Sequence, residues 1–423
     1  MIAHDVHRPR IAFVLCQYPL GFSAMIINSI VLFARRGHEV DVYIDGPTLR
    51  VSPIELTEPG VRIVSCESGA NLLWRAWAIA IAVVAGRVPM FASIARKWSL
   101  GAAIVTILPR LFLLARWLKR ELTPGRYSCV IAVEAPALIT LYDIPSSERI
   151  VYYDMELLDW NADDPNYVCK LPTKHLQSRM LKRVERVVIQ SPHRAEVFSR
   201  VNDFDPAAIS VLPVAAMGPH IAQRGRFFRD KFGIADDVTL VVYSGNFARW
   251  AQCVEIIRSV REWPDRCALV MHTWRAGSTW GLYFREMKRA AAGLPVFFSA
   301  EYLAYDELAG ALSSCDVGIL FYEAINENFT EILFSSNKLA EYLKAGLPVV
   351  CSDFPSLREF VERWDVGIAV ASPADLPEAI AMIRRKGEAM KENARRCYES
   401  ELRFERHFDR VYDTLAVART VSE

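Results

Sequence analysis

The chain carries almost no net charge: over 423 residues, 50 Lys and Arg stand against 49 Asp and Glu, a formal +1. It therefore has no overall basic excess with which to hold a polyanion such as DNA, and any basic surface must be local. The nine cysteines, at positions 16, 66, 129, 169, 253, 267, 315, 351 and 397, contain no CxxC pair and no zinc spacing. They read as reduced core residues of a cytosolic protein rather than a disulfide framework. The first ten residues, with His4, Asp5, Arg8 and Arg10, lack the apolar helix and small-residue cleavage site of a secretory signal. Between Gly69 and Arg120 no uncharged run approaches the roughly 18–20 residues needed to span a bilayer, because Arg75, Arg87, the Arg96-Lys97 pair and Arg110 break it. No carboxylate cluster suggests a metal site: Asp163-Asp164 comes nearest, and Pro165 beside it marks a turn. What the chain does have is 52% hydrophobic residues and a mean hydropathy of +0.14, enough for two or three cores and for apolar surface serving a membrane or partner.

Strand-like and helical patterns alternate in two series. In the first, the apolar run Ile11 to Leu15 passes through a turn at Pro19 and Gly21 into a helical pattern ending at Arg36. Gly37 stops that helix and Glu39 to Ile44 alternates as a strand, so residues 10–45 read as one βαβ unit. Further strands are expected at Cys129 to Val133 and Val187 to Ile189. The second series begins near residue 237. Strands are expected at Val238–Tyr243, Cys267–Met271, Val296–Ser299, Val317–Phe321 and Pro348–Cys351, and helices at Val254–Arg261, Asp306–Ser313 and Asn337–Lys344. Two α/β series imply two Rossmann-like domains with a cleft between them. Residues 213–235, with Pro213, Gly218, Pro219 and Gly225, are the expected linker, and the last 30 residues look helical.

The first series is interrupted by an unusual segment. From Gly69 to Arg120 there is no Asp or Glu, while Arg75, Arg87, Arg96, Lys97, Arg110, Arg116, Lys119 and Arg120 punctuate stretches carrying Trp74, Trp77, Phe91, Trp98, Phe112 and Trp117. Basic amphipathic helices with interfacial aromatics match a segment lying in the headgroup region of an anionic membrane. A pair of core helices with solvated arginines is the alternative.

The strongest local feature is Ser335 to Val350. Ser335 or Ser336 suits the N-cap of a short helix, Gly346 its stop, and Pro348 opens the next strand. The backbone N–H groups of Ser336 to Lys338 and the helix dipole favour an anion such as a diphosphate, with the Lys338 side chain adding a full charge in the first turn. Glu341, one turn on, suits sugar hydroxyls. A plain capped helix with an i,i+3 ion pair between Lys338 and Glu341 would read the same way.

Four stretches together resemble the GT-B glycosyltransferases, specifically the family 4-like group of retaining, nucleotide-sugar-dependent enzymes. They are RRGHEVDVY at 35–43, YSGNFARW at 243–250, ELAGALSSCDVGILFY at 307–322 and SSNKLAEYLKAGLPVVCSD at 335–353. The resemblance implies an α/β GT-B fold: an N-terminal acceptor domain over 1–215 that includes the membrane-docking segment at about 69–120, a nucleotide-sugar donor domain over 216–400, and a C-terminal helix over 401–423 packing back on the first domain. It implies that Glu341 holds the donor ribose, that Gly21, Gly245, Asn246, Ser335, Ser336 and Asn337 line the donor, and that Arg249 and Lys338 neutralise the leaving diphosphate. The base is expected near Phe298, Glu301, Tyr302 and Leu303. Glu134, Asp154 and Glu156 are expected to face the acceptor, with Glu156 catalytic. His272 reads as structural. Two departures from the family stand out: Leu333 occupies the first position of its Glu-x7-Glu pattern, leaving Glu327 or Glu331 to replace it, and no Lys follows Arg249.

The function expected is transfer of a sugar from a nucleotide-diphosphate donor to the hydroxyl of a lipid-linked or polysaccharide acceptor at the cytoplasmic membrane face. The expected partners are the nucleotide sugar, the acceptor and an anionic membrane, with neither nucleic acid nor metal cofactor. A nucleotide-sugar 2-epimerase or a non-catalytic scaffold in a glycan assembly complex would share the two-domain layout.

Overall fold

The structure, a computed structural model, describes residues 10–49, 56–66, 111–145, 147–158, 160, 167–274 and 281–416. Residues 69–110 of the basic aromatic segment and Asp163-Asp164 lie outside these. The chain forms two units: the first runs to Leu212 and takes the chain back from Phe408, and the second is Pro213–His407.

The first unit is built on seven parallel strands: β1 (Arg10–Leu15), β2 (Val40–Asp45), β3 (Val61–Cys66), β4 (Tyr127–Val133), β5 (Ile150–Tyr153), β6 (Val184–Ile189) and β7 (Ile209–Val211), in the order β3-β2-β1-β4-β5-β6-β7. β1, β4 and β5 are nearly continuous apolar runs because helices cover both faces of a parallel sheet. The order reverses direction between β1 and β4, which opens a crevice at their carboxyl ends. The helix Phe404–Ala416 begins in the second unit and ends in the first. There Phe408 packs edge-on to Phe33 at 4.9 Å, and the Arg36 guanidinium lies 4.1 Å over the Tyr412 ring.

The second unit has six parallel strands: β8 (Thr239–Ser244), β9 (Cys267–His272), β10 (Val296–Ser299), β11 (Val317–Leu320), β12 (Val349–Ser352) and β13 (Gly367–Val370), in the order β10-β9-β8-β11-β12-β13. Its switch point lies between β8 and β11. The expected linker differs from its reading: Phe227–Phe232 is a helix, with Phe228 wholly buried in the second core and Arg229 donating to Asp316 Oδ2 at 2.8 Å. The turn residues around this stretch hide its two anchoring side chains in the sequence. Among the described residues no helix is long and apolar enough to cross a membrane.

One glycine in this sheet sets the position of the site. A Cβ on Gly318 would stand 2.6 Å from the ring of Tyr342. That ring is buried, and its hydroxyl accepts the Ser244 N–H at 2.8 Å, tying the end of β8 to the helix Asn337–Lys344. Gly318→Ala must displace the ring, a cost of about 1–3 kcal/mol for overpacking. Urea unfolding should show that loss, and Tyr342→Phe should show a smaller one; an unchanged midpoint in Gly318→Ala would remove Tyr342 as the strut.

Candidate functional site

At the switch point of the second unit, Gly245 follows β8 with its N–H bonded to His272 O at 2.9 Å. A Cβ at Gly245 would come within 3.4 Å of Lys338 Cδ and 3.5 Å of its Nζ, so the lysine stem lies directly on the glycine. The Lys338 ammonium sits over three rings, 4.3 Å from the centroid of Tyr322, 4.8 Å from Tyr243 and 5.6 Å from Trp250. Trp250 and Tyr322 are stacked at 5.7 Å, and Phe329 closes against both. The cage attracts a cation through the ring faces. It supplies no anion, and Lys338 Nζ is buried with no hydrogen-bond partner among the described residues. Burial accordingly pushes the ammonium down to about 8. The i,i+3 ion pair with Glu341 does not form.

The helix Asn337–Lys344 starts beside this ammonium. Ser336 occupies its N-cap position in extended conformation but caps nothing with its side chain, because its hydroxyl is hydrogen-bonded to Tyr322 at 2.9 Å. The chain enters through Phe334, held at φ 63°. Ser335 Oγ and Asn246 Oδ1 are likewise buried without hydrogen-bond partners. Glu341 is buried on the same helix. A buried cation, a helix dipole of the same sign and a glycine surface thus converge on one place, an arrangement that favours a compact anion.

Arg249 is placed differently. Its side chain is 72% exposed, pairs with Glu286 at 2.8 Å and lies 4.8 Å over the Tyr283 ring. At the far edge, the end of β10 forms a small polar cluster: Ser299 Oγ lies 3.1 Å from His272 Nδ1 and donates to Glu301 at 3.0 Å, and Lys231 donates to the same carboxylate. Burial pushes His272 down to about 4, so it is neutral at pH 7. Tyr302 is exposed and Leu303 half-buried against the core.

In the first unit, Glu134 and Asp154 meet at the carboxyl ends of β4 and β5. Glu134, at φ 68°, accepts the N–H groups of Met155 at 2.6 Å and Glu156 at 2.9 Å, and so fixes the turn after β5. Burial, then the charge of Asp154, holds its carboxyl well above the usual range. Asp154 is wholly buried and accepts from Tyr152 Oη at 2.7 Å, and Glu156 is exposed. Tyr18 stands in the field of Glu134 and Glu156, which with burial raises its hydroxyl. Gly21 lies in the short turn Leu20–Phe22. Preceding it, Gln17 at φ 59° donates its N–H to Asp45. The caging rings of Tyr243, Trp250 and Tyr322 were missed from the sequence, where their only signal is a place just within or beyond a strand's carboxyl end. Among the described residues no three His, Cys, Asp or Glu side chains converge as metal ligands.

Two parallel sheets in this order, each with its switch-point site, define the GT-B fold of the glycosyltransferases. Residues 271–403 match the family model described as the glucosyltransferase 3-like C-terminal domain. Sucrose-phosphate synthase from Thermosynechococcus elongatus superposes with a TM-score of 0.70 at 14% identity, covering 96% of this chain and 99% of its own. Anabaena HepE in complex with UDP and glucose gives 0.68 at 14%, with the same coverage. WaaG, a glycosyltransferase involved in lipopolysaccharide biosynthesis, gives 0.61 at 14%, again covering 96% and 99%. No curated protein matches the chain.

The buried ammonium carries a sign that can be checked. At pH 7, below both its folded and unfolded pKa, Lys338 is charged in both states and its full burial cost is present; that cost fades as pH rises above about 8. Lys338→Met should therefore raise the unfolding midpoint at pH 7, by less at pH 9.5, while abolishing binding of inorganic pyrophosphate measured by calorimetry. A destabilised variant that still binds pyrophosphate would show the lysine to be a packing residue.

Proposed function

We propose that the protein is a glycosyltransferase that moves a sugar from a nucleotide-diphosphate donor to an acceptor hydroxyl. The observation that carries this reading is the caged, hydrogen-bond-free ammonium of Lys338 lying on Gly245 at the uncapped start of the helix Asn337–Lys344. Departure of a diphosphate from a sugar carbon places negative charge on the leaving oxygens. A preorganised cation with oriented amides stabilises that charge without reorganising. Lys338 and the amides of Ser336 and Asn337 take the diphosphate, with Ser335 and Asn246 supplying polar contacts beside it. Arg249, exposed and long, exchanges Glu286 for the same phosphates. Glu341 takes the ribose hydroxyls, and Tyr302 and Leu303 flank the base. UDP is the first nucleotide to test, since HepE is described in complex with UDP and with UDP-glucose.

In the first unit, Glu134, Asp154 and Glu156 receive the acceptor, Glu156 being the exposed carboxylate of the three. Glu134 holds the backbone of Met155 and Glu156 and so sets their height. Retention of anomeric configuration rests on the family resemblance. The acceptor is a lipid-linked sugar or growing polysaccharide at the cytoplasmic membrane face. Supporting this, residues 111–121 are helical with Phe112 and Leu113 exposed beside Arg116 and Arg120.

A panel of nucleotide sugars with radiolabelled donor tests the reading: product should require an acceptor, and Lys338→Met should lower kcat/KM by two or more orders of magnitude. Because the anion prefers the charged lysine, donor KM should rise as pH passes about 8. Donor conversion without any acceptor would identify an epimerase instead, and undiminished turnover in Lys338→Met would remove the proposed diphosphate site. Sedimentation with phosphatidylglycerol vesicles, lost in Phe112→Ser/Leu113→Ser, checks the membrane face.

A further inference from the structure

Behind Asp154 runs a chain of wholly buried polar side chains that the acceptor reading does not use. Lys174 and Gln177 lie on the helix Tyr167–Leu181; both are 0% exposed, as are Tyr152 and Asp154. Lys174 Nζ donates to Asn202 Oδ1 at 2.6 Å and to Gln177 Oε1 at 3.2 Å. Gln177 Nε2 donates to Tyr152 Oη at 3.0 Å, and Tyr152 Oη donates to Asp154 Oδ1 at 2.7 Å. The Trp160 ring lies 5.6 Å from the same ammonium.

The polarity of this chain is dictated from its buried end. An ammonium has three donors and no acceptor, so whichever amide atom faces it must be oxygen. Gln177 is thereby turned with its NH2 group toward Tyr152. The tyrosine oxygen, already accepting that bond, has its O–H left for Asp154. If Lys174 were replaced by an apolar residue, the amide would be free to flip and the hydroxyl free to turn away. At the other end, Asp154 O accepts from Gln190 Nε2 and Asp154 N–H bonds Val188 O, so backbone and Oδ1 are all committed. Asp154 Oδ2 and Gln190 Oε1 remain buried acceptors with no hydrogen-bond partner among the described residues. Two buried acceptors, each lacking a donor among the described residues, suit a ligand that brings hydroxyl groups.

We propose that Lys174 is a positioning residue: through Gln177 and Tyr152 it sets the direction of the buried hydrogen bonds, so that Tyr152 engages Asp154 Oδ1 and leaves the buried Oδ2 unpartnered, the atom with which an acceptor hydroxyl pairs once admitted. The charged and titratable groups around Asp154 are Tyr152 and Glu156 on its own strand and turn, Glu134 at the end of β4, Lys174 on the helix Tyr167–Leu181, and Arg194 on the helix Pro192–Asn202. Burial raises the Asp154 carboxyl; the Tyr152 hydrogen bond and the charges of Arg194 and Lys174 pull it back down. Removing Lys174 or the Tyr152 hydroxyl must therefore move it upward.

The test is a carboxyl titration of the full chain labelled with carbon-13 aspartate, Asp154 being assigned through Asp154→Asn. In Lys174→Met and in Tyr152→Phe the Asp154 midpoint should rise by about one unit, as expected for a lost charge or hydrogen bond to the ionised form. Tyr152→Phe removes one oxygen and keeps the packing, so it carries the measurement if Lys174→Met does not fold. An unmoved midpoint in a folded variant overturns the proposal. It rests on the transferase reading only for the identity of the hydroxyl ligand. With an acceptor, the acid limb of kcat/KM should move upward in the same variants while donor KM is unchanged, since Lys338, Arg249 and Glu341 belong to the second unit. A shifted carboxyl in a protein that transfers no sugar sinks the transferase reading and leaves the relay standing. Transfer activity with an unshifted carboxyl sinks the relay alone.

Discussion

A positive charge buried without a counter-ion is the constraint around which the second unit is arranged. Lys338 Nζ has aromatic faces on three sides and, among the described residues, no carboxylate and no hydrogen-bond partner, so the protein bears a desolvation cost while the ammonium is charged. Neighbouring features fix the surroundings of that ammonium. Gly245 has no side chain and lets the lysine lie against the strand end; Ser336 turns its hydroxyl to Tyr322 and leaves the helix start uncapped; Tyr342 fastens β8 to the same helix across Gly318.

The first unit solves the converse problem, burying negative charge. Glu134 and Asp154 are both out of water. One is satisfied by backbone N–H groups of the turn it shapes, the other by a tyrosine hydroxyl whose direction is set by a lysine two side chains away. Both units place their buried charges at the carboxyl ends of parallel strands beside a topological switch point. Adjacent connections leave toward opposite faces of the sheet there, and a crevice opens without any special loop.

Most of the fold was legible in the chain. Strands buried within a parallel sheet read as apolar runs, and β1, β4 and the strands from β8 to β12 were legible that way, β2 through its alternation. β3 is half-exposed at a sheet edge, β7 has only three residues, and β13 is fully buried only at Gly367. Lys338 and Glu341 stood out because a cap, a stop and a charge in the first helical turn fall at readable spacings. The cage around Lys338 did not: Tyr243, Trp250 and Tyr322 are 7 and 72 residues apart in succession and come together only because β8 and β11 are neighbours in the sheet. Arg249 looked equivalent to Lys338 in sequence, yet one side chain is exposed on a carboxylate and the other enclosed.

The sequence by itself therefore determined which segments would be strands and helices and where the short anion-facing helix would start, since these depend on local periodicity, turn residues and capping. Tertiary structure alone decided which polar groups lost their water, which found partners, and which were left wanting. Desolvation and hydrogen-bond direction arise from the meeting of distant strands. That is why Lys338 carries a depressed pKa, and why Lys174, unremarkable in a helix of mixed composition, ends as the buried terminus of the bonds that orient Asp154.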